Sequence, residues 1–121
     1  MSRASSPAGE RDRSNVTYMR LVDDVTEVIT QAELATAVGA SVRTVQNWTS
    51  GGTTPRGTTA NRLVDVQHLV NELRQVYTDE GIQIWLRSRN RNLAGKRPIE
   101  LLGEDQIEVV LDEVQRIIGG M

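Results

Sequence analysis

The sequence predicts a mainly all-α protein: a helical domain built around two short helices and a tight turn, followed by a small, mostly helical C-terminal unit. Three observations carry that reading. Helix-start and helix-stop residues punctuate the stretch from Thr30 to Gly51 at both ends and in the middle. Apolar residues recur at three- and four-residue intervals before and after it. The last segment pairs an apolar face with acids toward its start and Arg116 in its final turn, which matches the polarity of a helix dipole.

Composition narrows the function classes. The chain has 121 residues, enough for one domain or two small ones with a modest helical core. A net charge of −2 argues against coating nucleic acid through bulk charge, although a specific reader needs only local positive charge. There is no cysteine and a single histidine, His68, so disulfides and thiolate metal sites are excluded and no histidine-based metal site or triad is expected. No cofactor is implied. No apolar run reaches membrane-spanning length and no signal peptide is visible, so the expectation is a soluble, cytoplasmic protein.

Residues 1–14 offer almost nothing to bury and read as a disordered tail; Arg3, Arg11 and Arg13 are either phosphate contacts or simply solvated. From Asn15 to Val28, Tyr18, Leu21, Val22, Val25 and Val28 form one apolar stripe, a helix to pack behind the two short ones. Thr30 and Glu33 then have the spacing of a capping box, with Ile29 and Leu34 at the hydrophobic-staple positions. Leu34, Ala35 and Val38 keep helical spacing until Gly39, a residue free to take positive φ, ends the helix. Ser41 caps a second helix, with Val42, Val45 and Trp48 on one face and Arg43, Thr44, Gln46 and Asn47 facing elsewhere.

This hairpin resembles the helix-turn-helix of the Xre, phage-repressor-like family, in which the second helix enters the DNA major groove. The resemblance makes Ser41, Arg43, Thr44, Gln46 and Asn47 the expected DNA-binding residues. Their types suit base reading, since Arg pairs with guanine and Gln or Asn with adenine through two hydrogen bonds each. A plain helical hairpin whose polar face meets water is the alternative. In such domains the loop after the reading helix runs beside the DNA backbone, so Arg56, between Pro55 and Gly57, is either a phosphate contact or a solvated loop arginine.

A long helix is expected next, from about Ala60 to Tyr77, opened by Thr59 and striped by Leu63, Val66, Leu69, Val70, Leu73 and Val76. This closes a domain expected over residues 15–77. Residues 78–121 form the second unit. Thr78 caps a short helix with Ile82, Trp85 and Leu86 inward. From Arg87 to Arg97 come Arg87, Arg89, Arg91, Lys96 and Arg97 without an acid, and from Glu100 to Glu113 six acids without a base. Such blocks pair within a fold or present a basic surface to a partner. Gly103 to Ile118 reads as a final amphipathic helix on Ile107, Val110, Leu111, Val114, Ile117 and Ile118, and Gly119, Gly120 and Met121 as a small flexible end.

Trp85-Leu86, then Asn92-Leu93, Gly95, Pro98 and Leu101-Leu102, then a closing helix and a glycine, resemble the toxin-binding domain of Xre/MbcA/ParS-type antitoxins. Both resemblances stand in that family's order and together span nearly everything after the tail. They imply the antitoxin of a type II toxin–antitoxin pair whose partner is a RES-type toxin, a protein that destroys NAD. In the family the antitoxin's C-terminal end occludes the toxin's NAD-binding cleft. Here that role falls to Ile118, Gly119, Gly120 and Met121, helped by Arg87, Arg89, Lys96 and Arg97. The hairpin would repress the pair's own operator as a homodimer or within a larger toxin–antitoxin assembly, because one recognition helix reads few bases. The hairpin domain lacks a strong basic balance, so a firm grip on DNA would draw on dimerisation or toxin binding. The competing readings are a stand-alone dimeric transcription regulator and a protein-binding adaptor that has lost DNA contact. An enzyme is not expected, because no nucleophile–base pair or phosphate-binding glycine loop is suggested.

Overall fold

The computed structural model describes the backbone of residues 6–120 and the side-chain packing of residues 16–120. Among the described residues the chain forms seven α-helices: α1 (Ser6–Val25), α2 (Gln31–Val38), α3 (Val42–Ser50), α4 (Gly57–Leu73), α5 (Asp79–Arg87), α6 (Pro98–Gly103) and α7 (Ile107–Gly119). A 3₁₀ turn over Arg91–Leu93 separates α5 from α6, and an isolated antiparallel bridge between Asn90 and Lys96 closes the loop around it. The all-α class holds. No described helix is long and apolar enough to cross a membrane.

The local signals around α2 and α3 work as their chemistry dictates. The Thr30 hydroxyl accepts from the Glu33 backbone N–H at 3.0 Å, and the Thr30 N–H donates to the Glu33 carboxylate at 2.8 Å. Ile29 and Leu34, on either side of that cap, are both buried. Gly39 ends α2 at φ 76°, a left-handed conformation that costs a side-chain-bearing residue steric energy. Ser41 caps α3 and Thr78 caps α5, each through its hydroxyl.

Several boundaries differ from expectation. Helix α1 begins at Ser6, so residues 6–14 are helical where a tail without structure was expected. Helix needs only backbone bonds, and Pro7 in the first turn followed by Ala, Glu and Arg suits it without anything to bury. Arg3 lies outside the described residues, as do the side chains of Arg11 and Arg13. The same helix stops at Val25, and Val28 reaches the core from a turn. The long helix expected to run to Tyr77 ends at Leu73, and α7 starts at Ile107 rather than Gly103, because Asp105 takes a left-handed φ of 61° that breaks the helix.

One buried cluster draws on every helix: Leu21, Val22 and Val25 of α1, Leu34 and Val38 of α2, Val45 and Trp48 of α3, then α4 from Leu63 to Leu73, and Ile82, Leu86, Leu101, Leu102, Val110 and Val114 beyond it. The cluster is continuous across Tyr77 and Thr78, the expected join between units. Helix α2 sits at its centre, packed on α3, α4 and α6. The α2–α6 approach is close enough that a Cβ built on Gly103 would lie 2.9 Å from Thr36 Cγ2. Gly103→Val should therefore destabilise the protein by about 1–3 kcal/mol in a denaturant titration. Thr36→Ser, which removes that methyl, should recover part of the loss.

Candidate functional site

Two surfaces carry the expected site residues. On α3, Val45 and Trp48 are buried, which turns Arg43, Gln46 and Asn47 to solvent. Their side chains make no hydrogen bond or ion pair with the described residues, so Gln and Asn amides and one guanidinium stand open on a single short helix. Ser41 and Thr44 are placed differently from these three. The Ser41 hydroxyl accepts from the Thr44 N–H at 3.0 Å, and the two hydroxyls lie 2.9 Å apart, so both serve the cap. Arg56 is exposed at the N-cap position of α4, next to buried Pro55, with its side chain unused in capping. Neither α3 nor α4 carries an acid in its first turn. Periodicity put Val42 on the inner face with Val45 and Trp48; the structure leaves it 39% exposed at the first position of α3. The inner face of a helix is set by what packs on it: Val45 and Trp48 are covered, while Val42 at the helix start is only partly so.

Arg87, Arg89, Lys96 and Arg97 are engaged inside the fold. Arg87 donates to both Glu33 carboxylate oxygens, at 3.1 and 2.7 Å, tying α5 to the cap of α2. Arg89 donates to the Gly95 carbonyl at 3.1 Å. Lys96 pairs with Glu104 at 3.2 Å. Arg97 donates to the Arg87 carbonyl at 3.1 Å and faces Glu100 at 3.8 Å. At the chain end, Ile118 is half-buried against the core and Gly119 is the last residue of α7, where a flexible end was expected. Gly120 follows as its cap with φ −82°, and Met121 lies outside the described residues.

Sequence reasoning missed the residues that lock this arrangement. Arg74 sits between Asp24, Glu27 and Asp79, at 2.7, 3.5 and 3.0 Å, joining α1, the end of α4 and α5. The Asp79 bond above all raises its already high pKa. Glu113, only 7% exposed, accepts from Asn92 at 3.0 Å and from Arg116 at 2.9 and 2.8 Å, pinning the loop before α6 onto α7. Arg62 pairs with Asp105 at 2.8 Å, and its guanidinium lies over the Gly39 turn, where a Cβ would stand 2.7 Å from it. Arg74 with Asp24, Asn92 with Glu113 and Arg62 with Asp105 are distant along the chain and leave no local signal, whereas Glu113–Arg116 has helical i,i+3 spacing.

The C-terminal half, residues 62–120, matches the family model of the antitoxin Xre/MbcA/ParS C-terminal toxin-binding domain. The chain is 34% identical over 92 residues to the probable mycobacterial cidal antitoxin Rv3188 of Mycobacterium tuberculosis, covering 76% of this chain and 78% of that one. It is 27% identical over 93 residues to the mycobacterial cidal antitoxin MbcA, known from Mycobacterium bovis and Mycobacterium tuberculosis, covering 77% of this chain and 82% of MbcA. Among solved structures it resembles a chain of the M. tuberculosis MbcT–MbcA toxin–antitoxin complex, with a TM-score of 0.71 and 26% identity over 85% of this chain and 95% of that one.

The ion pairs carry a pH signature. Burial alone would raise the Glu33 carboxyl, but the bonds from Arg87 and Thr30 outweigh it and hold it below the ordinary range. Glu113 is lowered by Arg116 first and by Asn92 after it, against burial. A carboxyl lowered in the folded state stabilises the protein above its unfolded pKa, and that contribution is lost as pH falls through the folded value. Stability should therefore fall below about pH 4.5, and the Glu33→Gln/Glu113→Gln double variant should show a shallower acid limb in thermal melts taken from neutral pH downward.

Proposed function

This chain belongs to the Xre/MbcA/ParS family of antitoxins, proteins of toxin–antitoxin systems, and on that premise we propose how it acts. It neutralises a RES-type, NAD-degrading toxin by occluding the toxin's active site with its C-terminal end, and it represses its own operon through α3. The observation that carries the first half is the likeness, over most of both chains, to a chain of the MbcT–MbcA complex. In this fold α7 ends at Gly119 with Gly120 as its cap, and both glycines are exposed while Ile118 before them is half-buried against the core. Two consecutive glycines make a slim segment, which suits insertion into a cleft. Arg87, Arg89, Lys96 and Arg97 support the role by fixing the loop and helices behind that end, and Arg89, Lys96 and Arg97 keep polar surface for contact with the toxin.

The second half rests on the solvent-facing set Arg43, Gln46 and Asn47 and on Arg56 beside it. A symmetric operator would be read by two copies, each placing α3 in one major-groove half-site. Ser41 and Thr44 act as the cap that holds the helix start and as hydroxyls near the backbone.

The deciding experiment induces each immediate gene neighbour with and without this protein and tests the pair for co-purification. A neighbour that halts growth, and whose product this chain binds and silences, upholds the antitoxin mechanism. A protein that binds its promoter tightly while no neighbour is toxic would instead be a stand-alone dimeric regulator. Arg43→Ala or Gln46→Ala should weaken operator discrimination by about 1–3 kcal/mol per lost base contact while neutralisation survives, read by band shift and growth. Removing Gly119, Gly120 and Met121 should do the reverse.

A further inference from the structure

Val42 is the feature of the α3 face that neither the core nor the polar contacts account for. Among the described residues the large exposed apolar side chains are Val16, Val42, Val64, Ile84 and Val109, and Val42 alone of these lies on α3. It occupies the first helical position, directly after the Ser41 cap. A β-branched residue gains nothing there for the helix, and an acid would suit the positive helix end better. Its neighbours at helical spacing are Val45, which is buried, and Gln46, which is exposed, so the valine isopropyl stands one turn from the Gln46 amide on the same edge. The Ser41 and Thr44 hydroxyls are engaged in the cap, while the Val42 isopropyl beside them is exposed with no packing role.

We infer that Val42 reads the 5-methyl group of a thymine in the major groove, next to the base pair met by Gln46. Thymine is the one base that presents an apolar group on that edge of the duplex, and small apolar side chains are what recognise it. The inference rests on the operator-reading role given to α3 and makes it specific: the half-site contains a thymine whose methyl contributes to affinity.

The test uses the full chain, with its toxin if binding requires it, and a duplex from its own promoter. Each thymine in turn is replaced by deoxyuridine, which lacks only the methyl. The expected result is a loss of about fourfold in affinity at one thymine of each half-site, the equivalent of one buried methyl group. Val42→Ser, which puts a hydroxyl where the isopropyl stood and at an exposed position leaves the fold intact by circular dichroism, should bind thymine and uracil duplexes equally at that position. Selective binding that no uracil weakens, or a sensitivity that Val42→Ser retains at the same thymine, overturns the inference and leaves operator reading standing. Absence of any sequence-selective binding, with or without toxin, overturns both.

Discussion

The carboxylate of Glu33 is the group on which the arrangement of the two halves depends. It closes the cap of α2 on the Thr30 N–H and takes both arms of Arg87 from α5. The Arg87 carbonyl in turn accepts from Arg97, whose own N–H is capped by Glu100 at the start of α6. One line of polar contacts thus runs from the first turn of the hairpin to the helix that lies against α2 from the other side. Most of these groups are partly exposed, where each ion pair contributes between nothing and about 1 kcal/mol. The stability comes from the leucines and valines beneath; the polar line decides how the apolar faces are aligned.

That division of labour makes α2 the mechanical centre. It positions α3 on one side and is itself positioned by α6 on the other, and the turn between α2 and α3 lies under Arg62, held by Asp105 at the entrance to α7. Asp105 stands in a left-handed conformation, which Asp adopts more readily than most side-chain-bearing residues. Its ion pair with Arg62 anchors the segment between α6 and α7 against the hairpin turn. A protein bound to the C-terminal half would press on elements one contact removed from α3, which is a physical route by which toxin binding and the proposed operator reading would be coupled.

What could be read from the sequence was whatever acts within about one helical turn. The Thr30–Glu33 box, Gly39, Ser41 and Thr78 each announce themselves by residue type and spacing, and each does its expected job. The stripes of α4 and α7 were legible for the same reason. Legibility failed where the outcome depends on a distant partner. Nothing local says that Arg87 meets Glu33 or that Arg74 gathers Asp24, Glu27 and Asp79. Val42 shows the same failure in an apolar residue: its spacing fits the inner face, but it stays 39% exposed at the start of α3. The start of α7 was misplaced because acids and glycine from Gly103 to Asp105 suit a helix beginning as well as the turn they actually form.

The distribution of paired charge bears on how an acidic chain can approach DNA. Between Glu33 and Asp65 there is no carboxylate at all, while Arg43, Arg56 and Arg62 lie in that stretch. Elsewhere part of the acidic charge is paired in place: Arg74 offsets one charge among Asp24, Glu27 and Asp79, Lys96 offsets Glu104, and Arg116 offsets Glu113. A pair of opposite charges at contact distance has little field beyond a Debye length of about 8 Å in physiological salt. A phosphate backbone near α3 would therefore meet the local guanidinium groups of Arg43 and Arg56 and two helix starts without acids, rather than the net charge of −2. Two such groups per copy would give a shallow salt dependence and modest affinity. A doubled assembly would multiply them, which is a physical argument for the proposal that two copies of the chain read an operator together.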